Sequence, residues 1–104
     1  MELRKSGRFV LRLAVIYGWS EGKSARRYKG VTRDISSCGL FIISNIPPPT
    51  DAIVNIEVMI PPRTSGDASL QLRAKGHVVR VTDAPDVPGF AIAADIKIKN
   101  PYVM

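Results

Sequence analysis

With 104 residues, 45% hydrophobic and 23% charged, the chain has the make-up of one folded domain, with a single core and little room for a deep catalytic cleft. No apolar run approaches the ~20 residues of a membrane-spanning helix, the N-terminus lacks the apolar segment of a signal peptide, and a single cysteine, Cys38, excludes an intrachain disulfide and fits a reducing cytoplasm. The formal charge of +6 is unevenly placed, with nine Lys/Arg against Glu2 and Glu21 in residues 1–33 and six against seven acids thereafter, so the basic end suggests an anionic partner.

Residues 1–10 carry Arg4, Lys5 and Arg8 with few apolar anchors, and read as a flexible arm. A first strand is expected over 11–17, rich in strand formers, followed by a loop over 18–24. A second strand is expected over 25–35, with Tyr28, Val31 and Ile35 as its apolar points, then a tight turn over 36–38 and a short apolar strand over 40–43. Pro47, Pro48 and Pro49 interrupt pairing, because proline has no N–H to give a ladder. Val54, Ile56, Val58 and Ile60 alternate with polar neighbours, the period of a half-buried strand. Leu70, Leu72 and Ala74 continue that pattern, while Val79 and Val81 lie on the opposite parity, which predicts a bulge at Gly76. Phe90, Ile92 and Ala94 make a sixth strand, and the tail 97–104 is expected to form one helical turn or none. Six short strands with turn signals between them predict an all-β domain, a small antiparallel barrel or sandwich.

The residues for catalysis are few. His77 is the single histidine, and with Cys38 it falls short of the three or four ligands of a zinc site, so no metal is expected. Gly22-Lys23-Ser24 matches the tail of a phosphate-binding loop, but Tyr17 stands where that loop needs its first glycine and no helix follows. Tyr17, Trp19 and Tyr28 could stack a base, yet at least two of the three are expected in the core.

Two short motifs hold more chemistry. Arg4 and Arg8 are two guanidiniums up to ~13 Å apart in an extended segment, able to grip phosphate oxygens or the O6/N7 edge of guanine with two hydrogen bonds each, and Gly7 between them lets the segment wrap. Asp34-Ile35-Ser36-Ser37-Cys38-Gly39 sets a carboxylate and a hydroxyl on one side of a strand end and turns Ile35 to the core. The carboxylate can accept from guanine N1–H and its exocyclic amine, and Gly39 permits positive φ and close backbone approach. Either motif alone is also ordinary surface or turn chemistry, since Asp and Ser at turns often bond their own backbone.

Together, and in this order within a six-strand pattern, they resemble the PilZ domain family, bacterial receptor domains for cyclic di-GMP. Arg4 and Arg8 match the family's Arg-x-x-x-Arg, and Asp34, Ser36 and Gly39 match its Asp/Asn-x-Ser-x-x-Gly. Leu40-Phe41-Ile42, Gly76-His77-Val78-Val79-Arg80 and Gly89-Phe90-Ala91-Ile92 agree with it as well, so the likeness runs from about Leu3 to Ile96. It implies a six-stranded antiparallel β-barrel over 11–96, an N-terminal ligand clasp over 1–10 and a C-terminal helix that is short or absent in 97–104. It also implies a cyclic di-GMP site made of Arg4, Lys5, Arg8, Asp34, Ser36 and Gly39, with no further cofactor, acting by binding and not by catalysis. The arm, ordered over the ligand, would pass the signal to a protein partner or neighbouring domain. Leu3 stands where some members carry another arginine, which favours one ligand molecule over a stacked pair. The competing readings are a PilZ-like module that binds protein alone, against which the retained arginines speak, and a basic barrel for nucleic acid, which usually presents aromatics on an exposed strand face.

Overall fold

In the computed structural model the described residues are 9–10, 12–61 and 70–94, with Phe9, Val10 and Leu70 described as backbone alone. The clasp residues Arg4, Lys5 and Arg8, Leu3 and the tail 97–104 lie outside them. All regular structure there is β: β1 (Phe9–Val10), β2 (Ala14–Glu21), β3 (Ser24–Ser36), β4 (Gly39–Ile43), β5 (Ile53–Ile60), β6 (Leu70–Thr82) and β7 (Gly89–Ala94).

The sheet runs β1-β3-β2-β5-β6-β7-β4, all neighbours antiparallel, and β4 pairs back onto β3 to close the ring. β1 and β2 lie end to end along the same side of β3, opposite Asp34–Ile35 and 24–31 respectively, so together they make one strand of a closed six-stranded barrel. The interruption between them is bridged by Thr32, wholly buried, whose Oγ1 accepts from Leu13 N at 2.9 Å while its own N–H donates to Leu13 O at 2.9 Å. The first strand therefore pairs from residue 9, breaks and resumes at 14, where the sequence suggested one run over 11–17.

Period-2 alternation fills the interior. Val15, Tyr17 and Trp19 of β2, Leu40 and Ile42 of β4, Val54, Ile56 and Val58 of β5, Leu72 and Val78 of β6, and Phe90 and Ile92 of β7 are all buried. Such burial contributes roughly 2 kcal/mol for each large aliphatic or aromatic side chain. Tyr17 and Trp19 belong to this core and Tyr28 packs against it, so none of the three stands on an outer face to stack a base.

Three sequence expectations are corrected. The loop expected over 18–24 is strand except for the turn Gly22–Lys23, because Gly18 is a close-approach position where a Cβ would overlap the Arg26 carbonyl oxygen. Val31 points outward, 40% exposed. The bulge in β6 falls at Val79, between Val78 and Arg80 in the register with β7, and not at Gly76, which pairs in step with Val54. Val78 is thus the core residue, and Val79 is half-exposed.

The Tyr17 hydroxyl closes one end of the core, donating to Ile46 O at 2.6 Å with Ser44 Oγ also at 2.6 Å. Burial pushes its phenol above the ordinary 10.0, outweighing the opposite pull of the Ser44 hydrogen bond. The folded protein then holds this proton more tightly than the unfolded chain does. The corresponding stability is intact below pH 10 and is lost as pH rises through 10 towards the folded-state value. Tyr17→Phe is expected to flatten that alkaline loss, read from urea midpoints at about pH 8 and about pH 10.5. Parallel slopes for the two proteins would refute the assignment.

Candidate functional site

Two bulges shape one outer face. In β3, Thr32 pairs Ile42 while Asp34 pairs Phe41, so Arg33 is an inserted residue. Thr32 and Ile35 both face inward, an odd separation that plain alternation forbids; the insertion absorbs the extra residue and leaves Arg33 and Asp34 together on the outside. On β6 the Val79 insertion does the same for Arg80. The register then aligns Arg80, Ala91, Phe41 and Asp34 in one row across β6, β7, β4 and β3, with Val10 of β1 at its end. The next row is His77, Ala93, Gly39 and Ser36.

Small residues in these rows, Gly39, Ala91 and Ala93, leave a depression of ≈ 220 Å³ walled by Asp34, Ser36 and Arg80. A wider one of ≈ 480 Å³ continues it past Thr82 to Asp86, and the two share Arg33, Phe41 and Arg80. Phe41 is 2% exposed although it lies on the outer face. Gly89 beneath it makes room, since a Cβ there would come within 2.7 Å of the ring. Above it sits the Arg33 guanidinium, its Cζ 4.0 Å from the ring centroid. Arg33 Nε also donates to Asp34 Oδ2 at 2.8 Å.

Of the residues singled out in the sequence, Asp34, Ser36 and Gly39 are brought together here, on the outward side of the β3–β4 hairpin. Each is engaged. Ser36 Oγ accepts from Cys38 N at 3.2 Å and reaches Gly39 O at 3.4 Å, so it caps the two-residue turn Ser37–Cys38. The turn is tied to β7 by Ala94 N donating to Cys38 O at 3.0 Å. Gly39 serves a close approach of strands: a Cβ would overlap the Ile92 carbonyl oxygen. Ile35 packs against the core, as its parity predicts.

Arg33, Phe41 and Arg80 are the members of this face that the motifs do not name. A signal for the first was present: Tyr28 and Ile35 are seven positions apart yet both belong to the core side, which requires an inserted residue between them. A separate depression over Gly18 is bordered by Arg27 and Glu57, paired at 3.6 Å, and holds no motif residue. Among the described residues no group of three or more His, Cys, Asp or Glu could hold a metal ion, and no helix is long and apolar enough to cross a membrane.

Comparison with known proteins gives a family and a fold. A family model described as PilZ domain matches residues 2–100. The solved structure of the Bacillus subtilis inhibitor of motility (MotI/DgrA) superposes with a TM-score of 0.62 at 14% identity, over 95% of this chain. The chain spans 45% of that protein's length. No curated protein sequence matches.

Proposed function

The chain belongs to the PilZ domain family, and from that premise we propose that it is a receptor for cyclic di-GMP that acts by binding and passes the signal on by ordering its N-terminal segment. What supports this is the register of β1. Phe9 pairs Ile35 and Val10 pairs Asp34, so the polypeptide enters the barrel beside the strand end that carries Asp34 and Ser36. Arg8 is the covalent neighbour of Phe9, and Arg4 lies five residues from it, within roughly 17 Å along an extended chain. Guanidiniums on such a tether can reach phosphates of a ligand seated on the Asp34–Ser36–Gly39 face, and ordering the tether is a ready two-state element for a partner protein or neighbouring domain to read. In this reading the site comprises Arg4, Lys5, Arg8, Asp34, Ser36 and Gly39, one ligand molecule is held per domain, and the setting is the bacterial cytoplasm.

Titration calorimetry with cyclic di-GMP tests it. Binding at micromolar strength or tighter is expected, with Arg8→Ala weakening it about a hundredfold through loss of two charge-assisted hydrogen bonds. Amide exchange over residues 2–10 is expected to slow in the complex. No heat with the dinucleotide sinks the proposal, and binding of a generic oligonucleotide with a steep salt slope favours the nucleic-acid reading instead.

A further inference from the structure

Asp34 does not stand open as a bare acceptor. Its side chain is 14% exposed, and Oδ2 is occupied by Arg33 Nε at 2.8 Å. What this pair turns outward is the guanidinium, held at its edge by the carboxylate and from below by the Phe41 ring, with 34% of the Arg33 side chain exposed above the groove. Neither terminal nitrogen of Arg33 has a partner among the described residues.

We propose that Arg33, which lies outside both motifs, is a ligand-binding residue: its guanidinium is the platform on which one guanine base of the cyclic dinucleotide stacks. The proposal rests on the cyclic di-GMP reading and names a contact within it. A guanidinium is planar and weakly hydrated, so a purine can cover it with little desolvation cost. The base would complete a sandwich with Phe41 on the far side, using a π-face that every base offers. A free arginine loses considerable rotamer freedom when it orders on a ligand. Here Asp34 and Phe41 have fixed it in advance, so the stack forms on a prepared surface. Asp34 acts in this scheme by aiming Arg33, with its second oxygen left for the ligand. The bulge is what makes the arrangement possible, because it puts two consecutive side chains on the outer face.

Lysine keeps the charge and the ion pair but has no plane, so it separates stacking from simple attraction. Calorimetric titration of the full chain with cyclic di-GMP is expected to show Arg33→Ala weakened ten- to hundredfold, and Arg33→Lys within about threefold of it. Both variants should melt within a few degrees of the parent, as expected for a partly exposed ion pair. In the parent, the Arg33 Nε–H resonance is expected to move upfield at saturation, under the ring current of the stacked base. Parental affinity in Arg33→Ala overturns this inference while leaving the receptor reading intact. Recovery of affinity in Arg33→Lys, or an unmoved Nε–H resonance, also overturns it. A parent that fails to bind cyclic di-GMP refutes the receptor reading and this contact with it.

Discussion

Phe90→Ala is expected to lower the unfolding free energy by about 4 kcal/mol, within the range for deleting a buried ring. Phe90 is fully buried, its centroid lies 4.9 Å from that of Tyr17 in an edge-on contact, and it pairs Ile42 on one side and Val81 on the other. It therefore touches the interior where β7, β4 and β6 meet. Neighbouring strands are held by their own ladders, so the space cannot collapse and the cavity term adds to the transfer term. A domain of this size has a total stability of about 5–15 kcal/mol, and the variant would sit close to the folding threshold. Urea denaturation should show a lower midpoint at unchanged slope. Val79→Ala, at a half-exposed bulge residue, serves as the contrast and should change stability by under about 0.5 kcal/mol. A cost below about 1.5 kcal/mol for Phe90→Ala would show that this end of the barrel is loosely packed.

Gly39→Ala should be nearly as severe, about 3 kcal/mol, at the upper end of overpacking costs. The added Cβ would overlap the Ile92 carbonyl oxygen and lie 3.1 Å from the Ile92 carbonyl carbon and 3.3 Å from Ala93 Cα. All three are backbone atoms of β7, which cannot swing aside as a side-chain tip can. Either β4 lifts off β7 or the ladder from Gly39↔Ala93 to Ile43↔Gly89 shifts. The result distinguishes two reasons for a glycine at this point of the motif. If Gly39 serves strand contact, thermal and chemical stability both fall without any ligand present. If it serves ligand approach alone, the apo protein keeps its stability and affinity alone drops. The geometry predicts the first outcome, and an apo loss under about 1 kcal/mol would refute it.

The barrel was legible in the sequence where alternation was clean. Val54, Ile56 and Val58 are buried as their spacing predicts, and so are Phe90 and Ile92. Asp34 and Ser36 share a face for the same reason. Alternation failed wherever a residue was inserted or a glycine marked strand contact in place of a turn. Gly18 and Gly76 looked like breaks in pattern, but both are sites where a neighbouring backbone carbonyl comes too near for any side chain. The insertions at Arg33 and Val79 depend on partners in β4 and β7 that local spacing does not reveal. In the sequence Phe41 was one residue of a short apolar strand. That it is buried on the outer face, under an arginine and over Gly89, follows from cross-strand register, which no single segment encodes.

The closure of β4 onto β3 has a consequence for how the domain can talk to other proteins. Around the ring each described strand, apart from the two-residue β1, has a neighbour on both sides. Where the ring is closed a visiting strand gains no main-chain ladder, so strand addition is confined to stretches that pair on one side alone among the described residues, such as Ser24–Gly30 of β3 and Leu70–Lys75 of β6.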